Sequence, residues 1–271
     1  MPILAEENSK LEYMPELPDI EVFSRNLGKQ FAGKKLVKFK VVNGKKLKDP
    51  SSVLSRTLKG KKLLDVYRSG KEMRFEFSGK IILGLHLMLT GDLRPFTGKN
   101  EWKSTIVEFH FNDGSALALT DRMKNANVKL FPVDKAGIDA LDSKLDFKTL
   151  KTLLQRKANI KNVLLDQGKI RGIGNGYADE ILWRARISPF SIAAAIPDEK
   201  IKELLTHIKK TLKESVKKIS KKYPGLVHGE VRDFMEIHTK AKQFSPTGAP
   251  IKLADRGMLK TYYTDEQVLY R

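Results

Sequence analysis

The 271-residue sequence contains no cysteine, which excludes a disulfide framework and any zinc site built from thiolates. Its five histidines, His86, His110, His207, His228 and His238, are scattered without ligand-like spacing, so neither a metal nor another cofactor is expected. No apolar run approaches the length of about 20 residues that spans a bilayer. The opening residues, MPILAEENSKLEY, are mixed and acidic where a secretory signal would be basic and then apolar. Internal repeats and low-complexity segments are also missing. Acidic residues are scarce, 32 against 51 lysines and arginines, for a formal charge of +19. Such an excess favours a polyanionic partner, and nucleic acid is the commonest one for a soluble protein. With 41% hydrophobic residues the chain can bury a core, so wholesale disorder is not expected.

From Pro15 to Ala32 the pattern reads as a capped helix. Pro18 sits near its start, Asp19 and Glu21 favour the positive end of the dipole, and Ile20, Phe23 and Leu27 share a face. Between Lys35 and Val133 short alternating segments such as LVKFKVV, MRFEFSG and TIVEFHF are separated by Asn43-Gly44, Ser78-Gly79, Thr97-Gly98 and Asp113-Gly114. Period-two alternation with turns at this spacing predicts an antiparallel sandwich or barrel. Beyond Pro132 the periodicity becomes helical. Asp146 caps a helix carrying Phe147, Leu150, Leu153 and Leu154; Leu164 and Leu165 belong to a second; a third starts near Asn175 and runs through Ala185. A long helix covers about 198–222, with Ile201, Leu204, Leu205, Ile208, Leu212, Val216 and Ile219 on one face and a solvated lysine face opposite. Pro224-Gly225 ends it, and the basic remainder is broken by Gly248, Pro250 and Gly257 into a hairpin ending at Tyr262 and Tyr263.

The most specific internal signal is LLDQGKIRGIGNGYADEILWRARISP, residues 164–189. Gly172-Ile173-Gly174-Asn175 places two glycines in a turn before a helix, where the main chain can approach a ligand closely. Asn175 is a suitable N-cap, and free N–H groups with the helix dipole make an anion site. On a chain of this charge the expected anion is a DNA phosphate. The full string closely resembles the helix–two-turns–helix element of the Fpg/Nei (formamidopyrimidine-DNA glycosylase) family, including Tyr177 and the Ala-Asp-Glu after it. The upstream RKANIKNVLLDQ matches the same family. The resemblance makes Asn175, with Gly174 and Tyr177 beside it, the holder of a backbone phosphate next to the lesion.

The string MPELPDIE, Met14–Glu21, resembles the start of that family's chains. By itself Pro15-Glu16 is a helix-entry dipeptide. The resemblance makes Pro15 the nucleophile, its secondary amine attacking C1′ of the damaged nucleotide to give a Schiff base, with Glu16 moving protons. A terminal amine titrates near pH ~8, so a usable fraction is unprotonated at neutrality. As written Pro15 is internal, and an amide nitrogen cannot attack; either translation starts at Met14, which is the favoured expectation because the match begins abruptly there, or the extension is cleaved, or this nucleophile is not used. Asp19 replaces a family Glu. Lys71, in VYRSGKEMRFEF, follows a Ser-Gly turn and reads as a surface lysine; the resemblance gives it a lesion phosphate and a part in catalysis. His86, in HLMLTGDLR, matches a family histidine.

Base extrusion leaves a hole in the duplex, at a cost of roughly a few kcal/mol. The family fills the hole with a Met, an Arg and often a Phe. Here Leu89 stands at the Met position with Met88 beside it, Lys124 keeps a positive charge, and Asn125 offers no aromatic wedge. The family's C-terminal zinc hairpin is present without its cysteines: PTGAPIKLADRGMLKTYYTDEQ keeps the Gly-x-Pro-Ile landmark, with Ser245, Thr247 and Thr264 near the thiolate positions. It resembles a zincless finger, to be held by packing of Phe244, Ile251, Leu253 and Tyr262. The finger arginine that grips the lesion phosphate best matches Arg256, with Lys260 as the fallback.

The expected fold is α+β: an N-terminal antiparallel β-sandwich with a flanking helix, a central helical helix–two-turns–helix domain, and a C-terminal zincless β-hairpin finger. The expected divisions are an extension at 1–13, the sandwich at 14–134, the helical domain at 135–225 and the finger at 226–271. The resemblance implies a base-excision-repair glycosylase that removes oxidised or ring-opened bases and cleaves abasic sites through a Schiff base. Its partner would be double-stranded damaged DNA, met as a monomer in the cytoplasm or nucleoid, with no membrane and no zinc. The alternative is an altered member that binds damaged or abasic DNA without excision. An RNA-binding protein sharing only the helix–turn element is disfavoured by MPELPDIE and by the finger.

Overall fold

The computed structural model describes residues 14–256 and 259–271. The predicted extension at 1–13 lies outside them, and of Arg256 only the backbone is described. The first element is α1 (Leu17–Phe31). Pro18 sits in its first turn, where a missing N–H costs no hydrogen bond, and the Glu16 N–H donates to Asp19 Oδ2 at 3.0 Å. Ile20, Phe23 and Leu27 are buried, as their spacing predicts.

Strand β1 (Leu36–Val41) and helix α2 (Ser51–Leu58) precede seven more strands: β2 (Leu63–Ser69), β3 (Glu72–Phe77), β4 (Ile81–His86), β5 (Gly91–Thr97), β6 (Thr105–Phe111), β7 (Ser115–Asp121) and β8 (Asn127–Leu130). They form two antiparallel four-stranded sheets, ordered β1-β6-β7-β5 and β2-β3-β4-β8. The inner faces meet in one core, where the Phe75 and Phe109 rings stack at 5.4 Å from opposite sheets. This is the predicted sandwich, and α1 lies between β2 and the long helix described next.

A two-residue strand β9 (Ile138–Asp139) opens the helical half, followed by α3 (Phe147–Leu154) and α4 (Ile160–Leu165). Asp146 caps α3, accepting the Thr149 N–H at 2.8 Å. Strand β10 (Ile170–Arg171) pairs in parallel with β9 and leads through the two-glycine turn into α5 (Asn175–Arg184). The long α6 (Asp198–Lys222) buries Ile201, Leu204, Ile208, Leu212, Val216 and Ile219, while Leu205 is half-buried. One cap differs from expectation. Gly174 occupies the N-cap of α5, and Asn175 is the first residue inside the helix. Leu17 belongs to the helical core and Phe23 to the sandwich core, so α1 stitches the two halves together.

The C-terminal hairpin joins β11 (Lys252–Arg256) to β12 (Leu259–Tyr263), with Leu253 opposite Tyr262 and Asp255 opposite Lys260. Packing holds it in a different way from that predicted. Tyr262 and Ile251 do pack, against Trp183 and Ile237, but Phe244 is 57% and Leu253 49% exposed. The missing cohesion comes from hydrogen bonds to one carboxylate. Glu266 accepts from Thr247 at 2.6 Å, Thr264 at 3.1 Å, Trp183 Nε1 at 3.2 Å and Ser245 at 3.3 Å, and pairs with Arg186 at 2.9 Å. The Thr247 hydroxyl leads these donors in holding the Glu266 carboxyl down to about 2. The three hydroxyl residues near the expected thiolate positions therefore do gather, around a carboxylate.

A second polar knot joins finger to helices below the surface. Asp179 of α5 accepts from the Tyr262 N–H at 2.9 Å and pairs with Lys161 at 2.6 Å and His238 at 2.7 Å. Lys161 also donates to Thr261 Oγ1 at 2.9 Å and to the Lys260 carbonyl at 3.3 Å. Glu180 next to it accepts the N–H groups of Glu236, Ile237 and His238, each at 2.8 Å.

Candidate active site

The site grows from the junction of α1, the β2–β3 turn and the start of α5. Gly172 has a φ of +104°, and a Cβ there would collide with Leu17. Its carbonyl accepts the Leu17 N–H at 3.2 Å, which docks the residues ahead of α1 onto the two-glycine turn. Pro15 is thereby buried, and Glu16 is delivered to the N-terminus of α5. The Glu16 carboxylate accepts from Gly174 N at 2.6 Å and Gly176 N at 2.9 Å, with Tyr177 N at 3.4 Å. Arg232 donates to its Oε1 at 3.2 Å. The helix N-terminus is thus an anion site, as the turn predicts, but its anion is a side chain of the protein rather than a phosphate.

Burial alone would push the Glu16 carboxyl up, but Arg232, Lys71 and the Gly176 N–H outweigh it and hold the carboxyl below the usual glutamate range. Asp19, fully buried behind it, is pushed up to about 6 by burial against the pull of Arg232. Lys71 occupies the β2–β3 turn and is half-buried rather than a surface lysine. Burial lowers its ammonium from the ordinary lysine value, while Glu16 works to raise it. Gly174 leaves the space in which these groups meet: a Cβ there would stand closer than 3.0 Å to both the Glu16 carboxyl and the Lys71 ammonium. Gly174→Ala is expected to lower stability by about 1–3 kcal/mol through overpacking. Urea denaturation checks this, and an unchanged midpoint would mean the junction has slack.

Beside this junction lies a cleft of about 370 Å³, lined among others by Met14, Lys71, Arg74, His86, Met88, Gln167 and Arg171. A volume of this order suits a single nucleotide-sized guest. His86 Nδ1 accepts the Met88 N–H at 2.9 Å, and burial holds the ring below the ordinary histidine value. Gln167 fixes the turn by accepting from Gly172 N at 2.9 Å and donating to the Ile173 carbonyl at 2.8 Å. Two loops stand at the rim. Asp121 folds 121–126 by accepting from Met123 N at 2.9 Å and from Asn125 N and Ala126 N, both at 2.6 Å. Thr90 also donates to Asp121, which ties the neighbouring 87–90 loop to it. Leu89 and Met123 are 40% and 43% exposed, and Lys124 is exposed.

The predicted residues therefore separate into groups. Pro15, Glu16, Lys71 and Gly174 converge at the junction, and His86 lines the cleft beside it. Asn175 meets the finger: its Nδ2 donates to the Lys260 carbonyl at 2.9 Å, and the Lys260 side chain is exposed. Leu89 and Lys124 lie on the two rim loops. Two expectations are corrected. Tyr177 is 2% exposed and packs in the helical core, with Arg232 over its ring at 5.8 Å, so its side chain cannot hold a phosphate. The Gly174 N–H is committed to Glu16. The Arg256 side chain lies outside the described residues. Sequence reasoning missed Arg232, which clasps Glu16 from 216 positions away, and no local pattern marks it. It also passed over Lys161 and Asp179, although both stand in strings that it singled out.

Two family models match the chain: the formamidopyrimidine-DNA glycosylase N-terminal domain over residues 14–128 and the formamidopyrimidine-DNA glycosylase H2TH domain over residues 136–223. Among curated relatives, the formamidopyrimidine-DNA glycosylase of Lactobacillus gasseri is 33% identical over 73% of this chain and 76% of its own length. That of Pelotomaculum thermopropionicum is 30% identical over 92% of this chain and 97% of its own. Among solved structures, Lactococcus lactis Fpg in complex with DNA containing an abasic site has a TM-score of 0.83 at 23% identity, covering 93% of this chain and 99% of that one. A complex of the same enzyme with DNA containing an oxidised pyrimidine gives 0.84 at 24%, again over 93% and 99%.

Proposed function

The chain belongs to the formamidopyrimidine-DNA glycosylase family, and on that premise we propose that it is a base-excision-repair DNA glycosylase and abasic-site lyase acting on oxidised or ring-opened bases in duplex DNA. The observation that carries the reading is the meeting of Pro15, Glu16 and Lys71 at the start of α5, beside a cleft of nucleotide size. The damaged nucleotide enters the cleft. The nitrogen of Pro15, once free, attacks C1′ as the bond to the base breaks, and the amine loses its proton; its lone pair then expels O4′, which takes up a proton as the sugar ring opens, leaving an iminium Schiff base at C1′. Glu16, a carboxylate at neutral pH, takes up protons beside that nitrogen. Elimination from the Schiff base then cleaves the strand. Lys71 at the junction and Lys260 on the finger are positioned for backbone phosphates, and Asn175 holds the finger strand in place through the Lys260 carbonyl. Leu89 and Met123 are the apolar groups available to fill the vacated stack.

Met14 lines the cleft and its carbonyl carbon occupies the bond that the nucleophile needs, so catalysis requires release of the Pro15 nitrogen. That requirement favours one second reading, a binder of damaged or abasic DNA that does not excise. The two are separated by incubating protein that begins at Pro15, and protein that begins at Met1, with an abasic-site duplex and borohydride. A covalent adduct is expected only with the Pro15 form. Absence of an adduct from both, with binding intact, would leave the non-excising reading.

A further inference from the structure

Between Lys34 and Lys62 Asp49 is the sole acidic residue amid a dense run of lysines. Around β1 the lysines within reach of carboxylates use them: Lys34 pairs with Asp113 at 2.7 Å and Lys40 with Glu108 at 3.4 Å. The loop after β1 is built otherwise. Asn43 Oδ1 accepts the Lys45 N–H at 3.3 Å, and the Leu47 N–H donates to the Gly44 carbonyl at 3.1 Å, closing a tight turn. Leu47 packs against the sandwich core and pins that turn. Asp49 spends its carboxylate on the Leu130 N–H at 2.7 Å. Lys45, Lys46 and Lys48 are exposed, and among the described residues none has a carboxylate partner. Lys46 donates to the side-chain oxygen of Asn125, a neutral acceptor that fixes its place and leaves its charge uncompensated.

That contact also gives the loop its location. Asn125 lies in the rim loop folded on Asp121, which Thr90 joins to the loop carrying Leu89, and Met88 lines the cleft. The turn at 43–48 therefore adjoins the two rim loops that carry Leu89 and Met123. We infer that Lys45, Lys46 and Lys48 form a phosphate-binding shelf for the duplex flanking the lesion, which extends the DNA interface beyond the excision site. The inference rests on the glycosylase reading above. An ammonium is a point charge that donates to phosphate oxygens from many directions, and mounting three of them on a pinned turn reduces the ordering that a duplex would otherwise impose.

The test is the salt dependence of binding to a duplex carrying a tetrahydrofuran abasic analogue, for wild type, for the triple variant K45Q/K46Q/K48Q, and for K34Q/K40Q as a control on paired lysines. Each phosphate contact contributes about 0.9 to the slope of log affinity against log salt, so the triple variant should bind with a slope shallower by about 2–3. The control should keep the wild-type slope. An unchanged slope in the triple variant, or an equal loss in the control, overturns the shelf. Shortening the duplex arms around wild-type protein gives the same readout without mutation: one arm should account for the lost slope, and a slope insensitive to both arms also overturns the proposal. Failure of wild type to bind the lesion duplex at all would instead sink the glycosylase reading.

Discussion

Glu16→Gln is expected to slow base excision and abasic-site cleavage by about 100- to 10,000-fold, the range associated with a positioned proton-transfer group, in a protein that still binds duplex DNA. Gln keeps the size of the side chain, loses its charge, and offers one oxygen where the carboxylate offers two. The carboxylate accepts from Gly174 N and Gly176 N through separate oxygens, so the variant turns an NH₂ group toward an N–H donor, at a cost of roughly 1–3 kcal/mol. The exchange has a pH signature. The Glu16 carboxyl is held below its ordinary range in the folded chain, chiefly by Arg232 and Lys71 working against burial. A group depressed by folding contributes stability that is fully present above its unfolded value and lost as pH falls through the folded one. The stability gap between wild type and variant should therefore be widest near neutrality and should close in acid. Single-turnover excision rates and urea midpoints across that range measure both effects. Equal rates for the two proteins would remove Glu16 from the chemistry.

The second large effect is on the junction of finger and helices. Asp179→Ala should cost about 3–5 kcal/mol, because it deprives a buried cation of its partner, and should lower Tm by on the order of 10 °C in a chain of this size. Lys161 and His238 lie against the two carboxylate oxygens, and the Tyr262 N–H reaches the same group. Burial already lowers the Lys161 ammonium, and Asp179 is the first of the charges that work to raise it. Asn at 179 keeps an acceptor for Tyr262 and loses the charge, so it should fall between wild type and Ala. DNA affinity should drop along with stability, because Lys161 and Asn175 both bind the Lys260 carbonyl. Thermal melts and lesion-duplex titrations of the two variants check this order. A Tm for Asp179→Ala within a degree or two of wild type would show that the finger is held elsewhere.

Much of the architecture is legible in the sequence because it is local. The apolar stripe of α6 repeats over 25 residues, and the strands of the sandwich alternate between Gly-bearing turns, so periodicity identifies each from its own residues. The two-glycine turn likewise marks the start of α5. The identity of the anion at that turn is not local. Glu16 and Gly174 are 158 positions apart, and a free helix N-terminus looks the same in sequence whether a phosphate or a distant carboxylate will fill it. Asn175 is a good N-cap by type, yet Gly174 takes the position because Glu16 needs the space that a side chain there would fill. Lys71 reads as a surface residue because a turn after Ser-Gly is usually exposed, and only the packing of α1 and α5 around it covers it. The finger misled in another way. Apolar residues at the hairpin suggested packing, whereas its cohesion lies in hydroxyl groups whose shared acceptor, Glu266, belongs to a stretch with no pattern of its own.

The knot around Glu266 bears on the conditions under which such a protein has to work. A hairpin closed by thiolates and a metal is open to competition from chelators and to attack by the same oxidants that damage DNA bases. The carboxylate, hydroxyls and guanidinium that meet at Glu266 have no comparable oxidation chemistry, and the knot as a whole releases nothing to a chelator. What they require instead is that Glu266 remain ionised, and its donors hold it so down to about pH 2. At this knot a dependence on proton concentration stands in place of a dependence on metal supply and thiol redox state.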